Sequence, residues 1–137
     1  MGSRQPLRLL LDTHVWLWSR LDPAQLAAPL ARELEDVANE LWLSPISVWE
    51  TLLLAERGRI ELDGDSAAWI RQALQSVPLR EAALTREVAL ASRALDLPHQ
   101  DPADRFIAAT AMVHELTLAT ADENLLASTG CAVLPNR

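Results

Sequence analysis

The sequence predicts an α/β fold in which a mainly parallel sheet lies between layers of helices. Three observations favour this fold: short apolar runs alternate with longer amphipathic segments, polar residues follow the apolar runs directly, and helix-start motifs come after them. Short continuous apolar runs are typical of parallel strands, because both faces of such strands are covered. No internal repeat is apparent, and the 137 residues are expected to form a single domain, 1–137.

The predicted strands are short, and polar residues stand where they end. The first strand ends at Asp12, which places a carboxylate at its carboxyl end. A later strand ends at Thr120, two residues before Asp122. We expect strands at residues 7–11, 41–43, 77–80, 116–120 and 132–134.

Two of the predicted helices have well-marked starts. Ser44 with Pro45, and Asp101 with Pro102, each combine an N-cap residue with a first-turn proline. Elsewhere, apolar residues at three- and four-residue spacing predict amphipathic helices. The first expected helix follows Asp12 directly, and the others cover residues 24–40, 45–57, 66–75, 85–95, 102–114 and 122–128.

The net charge of −7 is unfavourable for an enzyme that acts on nucleic acid, because phosphate backbones repel acidic surfaces. Four of these charges belong to the four acids discussed next, which leaves −3 for the rest of the chain. Bound divalent metal would therefore remove much of the conflict. All twelve basic residues are arginine, which suits bidentate phosphate contacts but equally fits a compositional bias.

Four acidic residues are placed so that they could share one site. Asp12 ends the first strand, Glu50 lies in the helix after the second, Asp104 opens a later helix, and Asp122 follows the strand ending at Thr120. In an open parallel sheet, ligands bind in the crevice outside the carboxyl ends of the strands. The four side chains are therefore expected to face a common cleft.

Each of these acids also has a purely structural interpretation. Asp12 and Asp122 could each cap the helix that follows, a common role for aspartate. Glu50 could form a capping box with Ser47, although the helix start at Ser44 places Glu50 more than one turn inside the helix. Taken one at a time, the two aspartates fit either role.

Asp101 and Asp104 stand three residues apart in the DPAD motif and share one face of the predicted helix. Both could approach a metal ion. Asp101 is at the N-cap position, whereas Asp104 lies closer to the apolar face of the helix. We interpret Asp104 as the ligand and Asp101 as the cap.

A cluster of carboxylates repels itself unless cations compensate it. Oxygen ligands suit Mg²⁺ or Mn²⁺, which retain water and are bound together with substrate phosphates. The single cysteine, Cys131, has no partner for a cysteine-based metal site or an internal disulfide, and a small buried apolar role is expected for it. The pattern therefore favours metal-assisted phosphodiester hydrolysis.

At this point the residues resemble a known family, the PIN-domain ribonucleases, and within it the VapC-type toxins of bacterial toxin–antitoxin pairs. The similarity spans nearly the whole chain and rests on five strings in matching order and spacing. They are LLLDTHVWLW (9–18), SPISVWE (44–50), GRIEL (58–62), DPADRFIAATA (101–111) and LATADENL (118–125). By this resemblance, the family's acidic residues correspond to Asp12, Glu50, Asp104 and Asp122.

The resemblance implies a PIN-like three-layer α/β/α sandwich with a four- or five-stranded sheet. It also implies hydrolysis of RNA that depends on one or two Mg²⁺ or Mn²⁺ ions, a small antitoxin protein as partner, and a homodimer. Thr13 and Thr120 occupy hydroxyl positions of the family, beside the acids. A cytoplasmic protein with no membrane segment is expected, because no apolar run is long enough to cross a bilayer.

Other conspicuous residues have less specific interpretations. Arg105 is the first choice for a phosphate contact, with a structural salt bridge as the alternative. Trp16 and Trp18, just after the first acid, are the candidates for contact with RNA or antitoxin. Core packing is expected for the remaining tryptophans, Trp42, Trp49 and Trp69. His14 and His99 are expected to support the site or lie at the surface without binding metal, and His114 is expected to end its helix.

Three competing functions use similar features. Haloacid-dehalogenase-type phosphoryl transfer requires a second aspartate two residues after the first, where this chain has His14, and normally a lysine. A receiver domain also requires a lysine, and the chain contains none. A PIN domain that only binds a partner, or one that processes RNA without acting as a toxin, remains open from the sequence.

Overall fold

The computed structural model describes residues 5–97, 101–126 and 130–137. Five strands are present there: β1 (Arg8–Leu11), β2 (Glu40–Leu43), β3 (Arg80–Glu81), β4 (Thr117–Thr120) and β5 (Val133–Pro135). The helices are α1 (Thr13–Leu21), α2 (Ala28–Glu35), α3 (Pro45–Glu56), α4 (Ser66–Ser76), α5 (Arg86–Ala94), α6 (Pro102–Val113) and α7 (Glu123–Leu126), with a 3-10 turn at Pro23–Gln25. None of the helices in these ranges is long and apolar enough to cross a membrane.

The strands form one sheet in the order β3-β2-β1-β4-β5, and every neighbouring pair is parallel. From β1 the chain moves outward through β2 to β3, and it then returns to place β4 on the other side of β1. The strand order therefore reverses between β1 and β4. Such a switch point opens a crevice at the carboxyl ends of the two strands, where parallel α/β proteins bind their ligands.

Apolar side chains cover both faces of the sheet. Leu9 and Leu11 belong to one core cluster, which α1 to α4 complete with residues such as Trp16 and Ile70. Leu10 points to the opposite face, because side chains alternate along a strand, and packs in a second cluster with residues of α6 and α7. This arrangement confirms the predicted three-layer α/β/α fold with a five-stranded parallel sheet.

The helix predicted over residues 24–40 is wrong in its length. Here the chain forms the 3-10 turn and then α2, which ends at Glu35, and Val37 is fully exposed. The Asp36 carboxylate accepts a bond from the amide of Ala38, and the Asn39 side chain bonds the amide of Leu7 and the carbonyl of Glu33. These side-chain bonds stabilise a turn that leads into β2, in competition with further helix.

The remaining boundary differences are small. The strand predicted at 77–80 is instead the two-residue β3, because pairing with β2 begins only where Arg80 lies opposite Trp42. Leu79, just before it, packs on the core. The predicted last helix begins one residue late at Glu123, and residues 127 and 128 lie outside the described part of the chain. Helices α3, α4, α5 and α6 agree with their predicted ranges to within one residue at each end.

Candidate active site

A cleft of about 330 Å³ lies at the carboxyl ends of β1 and β4, at the switch point of the sheet. Its walls come from segments that are far apart in the chain. The residues that line it are Asp12, His14, Trp18, Glu50, Asp101, Asp104, Ala121 and Asp122. The structure therefore brings the four acids selected from the sequence to one place, together with Asp101.

Asp12 is held in one orientation by the elements on either side of it. The carboxylate is 6% exposed, accepts a bond from the amide of Thr13 (2.8 Å) and accepts another from the hydroxyl of Thr120 (2.7 Å). Its own amide donates to the carbonyl of Ala119, which extends the pairing of β1 with β4. Asp12 thus combines the two roles left open by the sequence, because it caps α1 and also lines the cleft.

Glu50 is held by a short chain of hydroxyl groups. The Thr13 hydroxyl donates to Glu50 Oε1 (2.5 Å), and the hydroxyls of Thr13 and Ser47 are 2.8 Å apart. A hydroxyl group has a single proton to donate. If Thr13 donates its proton to Glu50, Ser47 must therefore be the donor in the bond between the two hydroxyls. The structure excludes the alternative capping box, because Ser44 is the N-cap of α3 and the amide of Ser47 bonds to the Ser44 carbonyl. The position of Ser47, three residues before Glu50 on one helix face, is the signal that could have revealed its role in the hydroxyl chain.

The other aspartates each use part of their carboxylate for helix capping. Asp101 caps α6 by accepting bonds from the amides of Ala103 (3.0 Å) and Asp104 (3.3 Å), as predicted. Asp122 Oδ1 accepts a bond from the amide of Asn124 (2.8 Å) at the start of α7. A carboxylate has two oxygens, so capping and lining the cleft are compatible for both residues.

Burial and mutual repulsion raise the pKa values of three carboxyls in this cleft, those of Asp12, Glu50 and Asp104. The pKa of Asp104 is raised to about 8, first by burial and then by the charges of Asp101, Asp12, Asp122 and Glu50. Burial also raises the pKa of Asp12 and that of Glu50, although hydrogen bonds from Thr120 and Thr13 oppose these increases. The site therefore favours binding of a proton or a cation.

The acidic side chains that line the cleft suit a hard divalent ion, because such ions bind carboxylate oxygens. In the described part of the chain, no three aspartate, glutamate, histidine or cysteine side chains are arranged to hold a metal ion directly. Mg²⁺ does not need three such ligands, because it usually retains several waters and is bound through one or two carboxylates. The cleft therefore suits a hydrated ion that contacts few side chains directly.

The phosphate contact predicted for Arg105 is wrong. This side chain lies on α6 but is only 5% exposed. Its guanidinium donates to the main-chain carbonyls of Ser92 (2.8 Å), Leu97 (3.0 Å) and Leu95 (3.0 Å). Arg105 instead joins α6 to the end of α5, which is a structural role that the DPADR string alone does not reveal.

The tryptophans are distributed differently from the sequence prediction. Trp16 is 1% exposed and packs edge-on against Trp69, 6.2 Å away, so it is a core residue and not a contact for a partner. Trp18 is partly exposed and lines the cleft. Trp49, which was expected to face the core, is 51% exposed, whereas Trp42 and Trp69 pack against the core as predicted.

The positions of His14, His114 and Cys131 agree mostly with the roles predicted for them from the sequence. His14 is exposed at the edge of the cleft, and His114 ends α6, as predicted. Cys131 is partly buried against the second core cluster. His99 lies outside the described residues.

Comparison with known proteins identifies the family. A model of the PIN domain matches residues 9–129, which include β1 except its first residue, the strands β2 to β4 and all five acids of the cleft. The chain belongs to the PIN-domain family. This PIN domain is 37% identical over 118 residues to Ribonuclease VapC22 from Mycobacterium tuberculosis, a match that covers 85% of the chain and 88% of that protein. The expected family, including its VapC-type branch, is confirmed.

Solved structures show the same fold for this PIN domain. VapBC2 from Rickettsia felis, in a crystal structure bound to a DNA fragment from its promoter, aligns with a TM-score of 0.72 at 13% identity, covering 94% of this chain and 98% of that one. FitAcB from Neisseria gonorrhoeae aligns with a TM-score of 0.63 at 25% identity, covering 93% and 97%. These alignments extend over nearly the whole chain.

Proposed function

We propose that this PIN domain is a metal-dependent endoribonuclease and the toxin of a type II toxin–antitoxin pair. The observation that carries the proposal is the convergence of Asp12, Glu50, Asp104 and Asp122 on one cleft at the β1–β4 switch point. The name of its relative, Ribonuclease VapC22, supports RNA as the substrate. We expect residues 1–137 to form a single PIN domain that acts on RNA in the cytoplasm.

The four acids would hold one or two Mg²⁺ or Mn²⁺ ions. When bound, such an ion would activate a water for attack on a phosphodiester and would stabilise the charge that develops on the phosphate. Among the chain's own groups, Thr120 and Thr13 keep the carboxylates of Asp12 and Glu50 aimed at the cleft through their hydrogen bonds. The raised pKa of Asp104 supports the proposal, since a cation would relieve the repulsion that causes it.

A small antitoxin is the proposed protein partner, and a homodimer is the proposed assembly. Several similar structures are toxin–antitoxin complexes, among them VapBC from Salmonella typhimurium bound to DNA and a complex from Klebsiella pneumoniae. Of the two tryptophans that the sequence suggested for such a contact, the buried Trp16 is excluded and Trp18 is accessible. Expression of the toxin alone is expected to arrest growth, and co-expression of the antitoxin is expected to restore it.

Cleavage of RNA by the purified protein tests the enzymatic proposal. We expect cleavage with Mg²⁺ and none with EDTA, and we expect Asp104→Asn to lose activity in Mg²⁺. Glu40→Gln is the matched control, because it removes a carboxylate that does not line the cleft. Cleavage that persists in EDTA, or in the Asp104→Asn variant, would contradict the proposal.

A further inference from the structure

One wall of the acidic cleft consists of aromatic rings. His14 and Trp18 lie four residues apart on α1, and both line the cleft. Their ring centroids are 5.9 Å apart, and the ring planes are tilted by 52°. The other residues that line the cleft are five carboxylates and Ala121. The α1 wall is therefore the part of the described lining that offers ring surface without negative charge.

This division into two walls suits a nucleotide, which has a negatively charged phosphate and a flat uncharged base. The phosphate can approach the carboxylates only together with a cation, whereas the base needs a surface on which to stack. Tryptophan and histidine rings are common stacking partners for bases in single-stranded RNA. The two ends of a nucleotide thus match the two walls of the cleft.

We propose that Trp18, assisted by His14, stacks on the base of one unpaired nucleotide next to the phosphodiester that is cleaved. The proposal rests on the proposed ribonuclease function and names the residues that position the substrate of that same site. It also specifies the form of the RNA. A cleft of about 330 Å³ is at the small end of ligand pockets, and a base within a helix remains stacked on its neighbours and out of reach.

The other tryptophans in the chain do not combine these properties. Trp16 and Trp69 pack against each other in the core, and Trp42 packs beneath the guanidinium of Arg8. Trp49 is more exposed than Trp18 and lies on α3, but it does not line the cleft. Trp18 is therefore the tryptophan that is both accessible and next to the acids, and Trp49 is its natural control.

The test compares Trp18→Phe, Trp18→Leu and Trp49→Leu with the unmodified protein. Cleavage of a fluorescein-labelled mixed-sequence single-stranded RNA in Mg²⁺ gives KM and kcat. Fluorescence anisotropy of the same RNA in Mg²⁺, with each protein also carrying the inactivating Asp104→Asn substitution, gives Kd without turnover. We expect Trp18→Leu to raise KM and Kd by about 5- to 150-fold, the loss of one stacked base, with a smaller change in kcat. Trp18→Phe should stay near the unmodified protein because it retains a ring, and Trp49→Leu should change neither constant. Thermal unfolding of each variant verifies that it is folded.

The outcomes separate this proposal from the proposed function. If the unmodified protein cleaves RNA and Trp18→Leu has unchanged KM and Kd, the stacking role is overturned while the ribonuclease proposal stands. Equal losses in Trp18→Phe and Trp18→Leu, or in Trp49→Leu, would also overturn it. If the unmodified protein binds RNA through Trp18 but never cleaves it, the ribonuclease proposal fails and the stacking role holds. Absence of both binding and cleavage overturns both.

Discussion

At the two ends of the sheet, carboxylates lie in opposite electrostatic environments. Near the amino ends of β1 and β2, Glu40 accepts bonds from the indole of Trp42 (3.1 Å) and from Arg8 (3.4 Å), and Arg80 lies 3.7 Å away. These partners, Trp42 first, hold the pKa of Glu40 below its ordinary value. We call Arg8, Glu40, Trp42 and Arg80 the Glu40 cluster.

At the carboxyl ends of β1 and β4, the acids of the cleft have the opposite arrangement. Burial and neighbouring carboxylates raise the pKa values of Asp12, Glu50 and Asp104. The Glu40 cluster contains its own compensating cations, whereas no arginine is among the described residues that line the cleft. The comparison supports the proposal that the carboxylates of the cleft bind a cation from solution, whereas Glu40 is compensated within the fold.

The largest expected difference between the cleft and the Glu40 cluster is in catalysis. We expect Asp12→Asn to lower kcat/KM for RNA cleavage by at least about 100-fold, because even residues that merely support a metal ligand contribute 10- to 100-fold. Glu40→Gln should leave kcat/KM unchanged and move Tm by less than about 2 °C, since exposed ion pairs contribute little. Comparable losses of activity in the two variants would show that the two ends of the sheet do not differ as described.

Metal binding should stabilise the folded protein through the cleft. At a Mg²⁺ concentration of about 100 times Kd, the free energy of unfolding should rise by about 2.7 kcal/mol, as mass action requires. The measurement is chemical unfolding with and without Mg²⁺. In Asp104→Asn the increase should be much smaller, because one ligand and its charge are lost. An equal increase in the variant would place the ion elsewhere.

Removing the hydroxyl that orients Asp12 should cost about 1–3 kcal/mol of stability. Thr120 is fully buried, donates to Asp12 and accepts from the amide of Asp122, so Thr120→Val leaves two polar groups without this partner. Urea unfolding measures the loss. Thr120→Ser should retain most of the stability, and Thr117→Val on the same strand should change it little. If Thr120→Val were as stable as the original protein, Asp12 would not depend on this bond.

The smallest expected effect is the dependence of stability on pH without metal. The folded-state pKa of Asp104, about 8, lies above the ordinary value of 3.8, so between these values the folded protein holds a proton that the unfolded chain has lost. Stability should therefore fall as pH rises from about 4 to about 8. Because Asp104 is partly exposed, we expect roughly 1 kcal/mol, or about 2–8 °C in Tm.

Calorimetry in EDTA across this pH range measures the effect, and Asp104→Asn and saturating Mg²⁺ should each reduce it. The lowered pKa of Glu40 acts in the opposite sense, since its contribution is lost as pH falls through the folded-state pKa. A Tm that rises steadily from pH 5 to pH 8 in EDTA would contradict the repulsion described for the cleft.

Most of the fold could be predicted because its elements are marked by local chemistry. Ser44 and Asp101 cap α3 and α6 as expected, and Gly58, with a φ of 69°, follows the end of α3. The helix predicted over 24–40 was wrong because Asn39 bonds to Leu7, a partner 32 residues away. A window of neighbouring residues contains no information about such a bond.

The acids of the site could be predicted from their positions after strands, but their surroundings could not. Trp16 and Trp18 are two residues apart and point to nearly opposite sides of α1, so only one of them can face the cleft. Periodicity groups Trp18 with His14 but does not state which side of the helix meets the core. The role of Arg105 could not be predicted for the same reason. Its carbonyl partners on α5 and the following loop depend on how α5 and α6 pack.

The parallel arrangement of the strands also determines which ends of the helices meet the cleft. Helices α1 and α3 follow β1 and β2 directly, and the cap of α6 at Asp101 lines the cleft, so the amino-terminal ends of all three helices lie at this edge of the sheet. Each such end carries about half a positive charge from aligned peptide dipoles. In a protein with a net charge of −7, these helix ends offset part of the negative charge of the five carboxylates in the cleft, and a bound cation would have to supply the rest before a polyanion could approach.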